Sequence, residues 1–194
     1  VCPVFHKVFW TEKKVTKALL SVSALGFYEA YINGKRVGSF IFAPGWTSYE
    51  TRLQYQVYNV TSFIEECNEI DIALGIGRRF HKRKNEDREY LASGEAALIA
   101  ALEITYDDGS VENVYTDGTW EGFKSNILYS DIYNGETVDF NADTEEKIEI
   151  KTVPADKDIL IPTEGEETRE MARIEEPGLI VTPKGEFVLD FRQN

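Results

Sequence analysis

A chain of 194 residues with 42% hydrophobic and 12% aromatic side chains can bury a full core, which excludes a disordered polypeptide and fits one large β domain or two small ones. Thirty-four acids against twenty-one bases give a formal charge of -13, which repels phosphate backbones and anionic lipid headgroups and makes nucleic acid and membrane poor partners. Two separated cysteines and two histidines, His6 and His81, offer neither a disulfide framework nor a zinc-binding spacing, so no metal site and no cofactor is assigned.

The opening "VCPVFHKVFW" lacks the charged head, long apolar stretch and small-residue cleavage site of a signal peptide. "VTKALLSVSAL" follows, with Ala18, Leu20, Val22 and Ala24 alternating against Lys17, Leu19, Ser21 and Ser23, the period of a strand. "FYEAYI", then Asn33-Gly34, then "KRVGSF" predicts a hairpin, because Asn-Gly takes the positive φ values of a type I′ turn. "RLQYQVYNV" is a further strand, placing Leu53, Tyr55 and Val57 on one face and Gln54, Gln56 and Tyr58 on the other. A capped turn is expected at Thr61, and "EIDIALGIG" reads as a buried strand. "GRRFHKRKNEDR", from 77 to 88, gathers Arg78, Arg79, Lys82, Arg83, Lys84 and Arg88. It is either a solvated loop offset by Glu86 and Asp87 or an anion or partner-docking patch.

"ALIAALEITYDDGSVENVYTD" predicts a second two-residue hairpin at Asp108-Gly109. Shorter strands follow in "TWEGFKSNILYSDIYNGETVDF" and "KIEIKTVP". Turn signals roughly every 8–12 residues, with no helix of period 3.6, predict an all-β fold, an antiparallel β-sandwich. Residues 1–153 form this domain. Residues 154–194 are a turn-rich, acidic connector running along the sandwich, then two strands about Pro183-Lys184-Gly185 that lead towards a further domain.

Catalytic machinery is hard to assemble from these residues. A Ser/His/Asp or Cys/His arrangement would need His6 or His81, and no G-x-S-x-G, H-E-x-x-H or phosphate-cradling glycine loop occurs. Among 34 acids, number alone does not identify a glycosidase pair. The rings from 28 to 58 carry more information. Most of them, Tyr55 and the neighbouring Phe27 included, are expected in the core, while Pro44-Gly45 turns Trp46 and Tyr49 outward. There they could stack on the apolar face of a sugar while Arg52 bonds its hydroxyls. The competing reading has Trp46 capping a sheet edge and Arg52 paired with an acid such as Glu50. In "YSDIYNGETVD", Asn134 and Glu136 with Asp131 offer acceptors beside Tyr133, although Asn134-Gly135 is equally a good turn.

"LLSVSALGFYEAYINGKRVGSFIFAPGWTSYETRLQYQVYNVT" resembles the N-terminal accessory region of bacterial α-L-rhamnosidases, with its Asn-Gly-Lys-Arg-Val-Gly hairpin and Ala-Pro-Gly-Trp-Thr turn. "FHKVFWTEKKVTKA" is similar to that region's opening strand and "ILYSDIYNGETVDF" to its Ile-Tyr-Asn-Gly-Glu signature. "TPKGEFVLDFRQN" is similar to the segment that begins the next β domain. Three departures stand out. Arg192 replaces a usual Gly, "GIGRRFHKRK" replaces a Gly-x-Gly-Trp-Tyr-like stretch, and Glu50-Thr51 stands where some members that bind rhamnose through calcium have Asp-Asn.

The resemblance implies a jelly-roll-like sandwich that carries no catalytic residue, since hydrolysis in the family belongs to a downstream (α/α)₆ barrel with two carboxylates. It implies as partners that catalytic domain, within about 500 further residues, and a rhamnose-containing glycan. The implied role is to brace the barrel and to bind or present the glycan, the alternative being an independent carbohydrate-binding module. The compartment, cytoplasmic or periplasmic/secreted in a bacterium, stays open.

Overall fold

The computed structural model describes residues 2–75, 77 and 96–192. The basic run at 78–88, with His81, lies outside the described residues. In chain order the strands are β1 (Pro3–Trp10), β2 (Val15–Leu25), β3 (Phe27–Ile32), β4 (Lys35–Arg36), β5 (Leu53–Asn59), β6 (Cys67–Gly75), β7 (Ala97–Tyr106) and β8 (Val111–Tyr115). They continue with β9 (Glu121–Lys124), β10 (Ile127–Asp131), β11 (Gly135–Val138), β12 (Lys147–Ile148), β13 (Leu160–Pro162), β14 (Gly178–Val181) and β15 (Phe187–Asp190).

One sheet runs β12-β9-β1-β6-β3-β4 and the other β13-β5-β2-β7-β8, with β10-β11 and β14-β15 as separate ribbons. From β1 to β7 the chain crosses between the two sheets at each main strand, a jelly-roll-like path that makes most pairings antiparallel. The predicted all-β sandwich is the fold.

Period-two alternation decides which side chains meet between the sheets. Ala18, Leu20, Val22 and Ala24 of β2 and Ala100, Leu102 and Ile104 of β7 face Ala30 and Ile32 of β3 and Ile70, Ile72 and Leu74 of β6. Each large side chain fully buried there stabilises the fold by about 1.5–3 kcal/mol. Asn68, the most deeply buried of the polar side chains described, is satisfied: its Oδ1 accepts from Glu65 N at 2.7 Å and its Nδ2 donates to Glu65 O at 2.7 Å.

The Asn33-Gly34 turn forms as expected, with φ of 51° and 72° and Ile32 paired directly with Lys35. Asn33 also ties the turn to the body, donating to Phe63 O at 2.8 Å and accepting from Glu69 N at 2.9 Å. The second hairpin differs from its prediction. Tyr106 N donates to Ser110 O, which makes a three-residue loop, and only Gly109 has positive φ. Asp108 accepts from Ser110 N at 2.9 Å instead of taking the left-handed conformation a type I′ turn requires, so the loop is a type I turn with a glycine bulge. At Thr61 the expected capped turn is a short 3₁₀ turn, Thr61–Phe63, without a side-chain cap. The Thr61 hydroxyl accepts the Ala18 N–H instead.

The rings also divide differently from expectation. Only Tyr28 and Phe40 of those from 28 to 58 are buried, while Tyr31, Tyr49, Tyr55 and Tyr58 are half-buried and Phe42 and Trp46 exposed. On β5 the core takes Gln56, with Tyr58 and Val60 packed in line with it. Tyr55 therefore points to the opposite face, and Phe27 sits outside the core cluster.

The segment expected as a connector begins at residue 154. Within it β13 adds to the edge of β5 in parallel, pairing Leu160 with Leu53 and Pro162 with Tyr55. The β14-β15 hairpin then turns about Gly185.

Candidate functional site

The loop between β4 and β5 is anchored at its middle. Ala43 O accepts from Tyr28 N at 2.9 Å and Pro44 O from the Gln56 side chain at 3.0 Å, burying both residues. Beyond that anchor Trp46 emerges at 67% exposure. Before it, Phe42 has a φ of 65° and lays its ring against Phe27, centroids 5.3 Å apart at 40°.

These rings form one wall of an open groove of about 290 Å³, where Phe27, Phe40, Phe42 and Trp46 meet Gln54 of β5 and Ile132 of the β10-β11 turn. Another part of the wall is the connector, which contributes Thr163, Gly165, Glu166 and Thr168. Aromatic faces beside an amide, two hydroxyls and a carboxylate suit a ligand with one apolar face and a hydroxylated edge. Glu166 is the one carboxylate among the described lining residues, whereas glycoside hydrolysis by the usual route uses a pair.

Below the groove lies a buried polar cluster. The Tyr28 hydroxyl donates to Gln56 Oε1 at 2.6 Å and lies 3.0 Å from the Tyr58 hydroxyl. Burial, then the neighbouring Tyr58, raises the Tyr28 hydroxyl above the ordinary tyrosine range, which keeps it protonated and a donor. Gln56 Nε2 donates onward to Thr163 Oγ1 at 2.8 Å.

The sequence-predicted residues are placed as follows. Trp46 lines the groove, and Tyr49, half-buried, donates to Gly45 O at 3.4 Å. The guanidinium of Arg52 pairs with Glu164 of the connector, not with Glu50. In the second stretch Asp131 is buried and organises its own turn, accepting from Tyr133 N at 2.8 Å, Asn134 N at 2.9 Å and Asn134 Nδ2 at 3.0 Å. Glu136 accepts from the Ser130 hydroxyl at 3.0 Å, and Tyr133 is 51% exposed. The second stretch reaches the groove through Ile132 alone; Tyr133, Asn134 and Glu136 are not among its described lining residues, and neither are Tyr49 and Arg52. Thr163, Glu166 and Thr168 carry no sequence signal linking them to Trp46, because strand addition far along the chain brings them there.

Residues 13–175 match the family described as the α-L-rhamnosidase N-terminal domain. An α-L-rhamnosidase of Streptomyces avermitilis is 35% identical over 139 residues, which are 72% of this chain and 14% of that protein. Native α-L-rhamnosidase from Aspergillus terreus superposes on all of this chain and 24% of its own, with a TM-score of 0.86 at 29% identity. α-L-Rhamnosidase from Dictyoglumus thermophilum covers all of this chain and 22% of its own, with a TM-score of 0.72 at 28% identity. The chain thus spans about a seventh of the length of the curated relatives it matches.

Proposed function

The chain belongs to the α-L-rhamnosidase N-terminal domain family, and we propose that it is a non-catalytic accessory module that braces the catalytic domain of a rhamnosidase-type glycoside hydrolase. The observation that carries this is the β14-β15 hairpin. Its register puts Leu179 beside Leu189 and Val181 beside Phe187 on one face, and Ile180 beside Val188 on the other. These side chains are 44–76% exposed, so both faces of the ribbon are apolar and open. A two-stranded ribbon is marginal in water, and one built for solvent would carry a polar face. Covering these side chains with a following domain supplies about 1.5–3 kcal/mol for each one fully buried. Calorimetry of the intact polypeptide tests the role. The sandwich should melt at a higher temperature there than as the 194-residue chain, which itself should hydrolyse no aryl rhamnoside. Equal melting temperatures, or turnover by the isolated chain, would refute it.

A second reading, binding of a rhamnose-containing glycan, is favoured by the exposed Trp46 at the groove beside Gln54 and Glu166. A methyl-bearing sugar offers an apolar face to the rings and hydroxyls to the polar wall. Few atoms are engaged, so the affinity expected is about 0.1–1 mM. Titration with L-rhamnose, followed by tryptophan fluorescence, should saturate in the parent and fail in Trp46→Ala. A flat response up to tens of millimolar in the parent removes this reading and leaves the bracing role.

A further inference from the structure

Gln56, 3% exposed, uses its whole amide inside the fold. The Nε2 group donates to Pro44 O at 3.0 Å and to Thr163 Oγ1 at 2.8 Å, while Oε1 accepts from Tyr28 at 2.6 Å. One rigid planar group, with each of its two N–H bonds committed, therefore joins the loop that carries Trp46 to the start of the connector strap. The strap is tied to the same loop a second time, five residues on, where Thr168 O accepts from Ile41 N at 2.7 Å. Between these ties Gly165 and Glu166 of the strap line the same groove as Phe42 and Trp46. The ion pair from Arg52 to Glu164 reinforces the strap, but both side chains are more than half exposed and such a pair contributes little.

We infer that loop 41–46 and strap 163–168 are one coupled element with Gln56 as its positioning residue, so that filling the groove and fixing the strap favour the same conformation. Tilting the amide to follow a displaced strap would leave a buried donor without an acceptor on the loop side, so the two segments loosen together or not at all. Groove occupancy and the placement of the strap thereby become linked quantities. The identity of the groove's ligand rests on the glycan reading above. The coupling itself is a property of the unliganded chain.

Amide hydrogen exchange tests it, because Gly45 N–H, bonded to Phe42 O, reports the loop and Ile41 N–H, bonded to Thr168 O, reports the strap. Thr163→Val removes the hydroxyl at a half-buried connector position while keeping the shape. It should speed exchange at both amides by about three- to tenfold, with Leu102 and Ile72 in the core unchanged. Gln56→Met should speed the same two amides. Faster exchange at Ile41 with Gly45 left at the parent rate, or no change at either, overturns the coupling. Adding L-rhamnose to the parent separates the two ideas. Slowing at both amides supports the link, and slowing at Gly45 alone contradicts it. No slowing at either amide counts against the glycan reading while Thr163→Val still decides the coupling.

Discussion

Removing the single hydroxyl of Tyr28 isolates the energetic role of the cluster beneath the groove. Tyr28→Phe keeps the buried ring and its packing, so no cavity is opened, yet it takes from Gln56 Oε1 its one donor among the described residues. A buried acceptor left without a partner costs about 1–3 kcal/mol. The Tyr58 hydroxyl, in a half-buried side chain, can turn to water and adds little. For a chain of this size each kcal/mol shifts the melting temperature by about 2–4 °C, so a loss of ~2 kcal/mol lowers it by about 4–8 °C. Thermal melts and urea titrations of the parent, Tyr28→Phe, Gln56→Met and the double variant measure it. The double variant should lose less than the sum of the singles by about 1 kcal/mol or more, since the acceptor orphaned in Tyr28→Phe is gone from it. A Tyr28→Phe chain within about 0.5 kcal/mol of the parent, or strictly additive losses, would refute the reasoning.

The raised tyrosines make stability fall in alkali. Burial, then the hydrogen bond to Glu112, pushes Tyr106 up to about 12, whereas an unfolded tyrosine ionises near 10. Stability fully present below about pH 10 is therefore lost as pH rises towards 12, because the folded chain holds its proton longer, and Tyr28 and Tyr58 act in the same sense. Urea midpoints that fall in this window, and fall less in Tyr106→Phe, are expected; a flat profile would contradict it. Gly38→Ala should destabilise by about 1–3 kcal/mol, since φ is 72° there and an added Cβ would sit 2.4 Å from the Tyr58 ring. Leu102→Ala, in the shared core, should cost about 2–5 kcal/mol, and Val57→Ala, 52% exposed on the outer face of β5, less than about 0.5, both read from urea midpoints.

The strands of the sandwich were legible because their pattern is local. Alternation in β2 and the Asn33-Gly34 turn each lie within a dozen residues, and both appear as expected. The Asp108 loop shows where local rules stop: an Asp can take the left-handed turn conformation, but here its carboxylate is already held by Lys13 at 2.8 Å and by Ser110. The face of β5 was not legible either, because Tyr55 and Gln56 compete for the core, and the polar residue wins by finding Tyr28, Pro44 and Thr163 as partners. Arg52 has an acid partner as one reading expected, but the partner is Glu164, more than a hundred residues away, and no spacing rule reaches that far. The groove's second wall was hidden for the same reason.

The bracing role is tested most directly at the hairpin, by placing Phe187→Thr with Leu189→Thr in both the 194-residue chain and the intact polypeptide that carries it. Both positions are exposed in the chain alone, at 76% and 56%, and threonine suits a strand, so the isolated chain should melt as before. In the intact polypeptide the same pair should lower the melting temperature of the sandwich by several degrees, leaving turnover per folded molecule on an aryl rhamnoside unchanged. Unaltered melting of the intact polypeptide would mean that the hairpin faces solvent there, and would contradict the account.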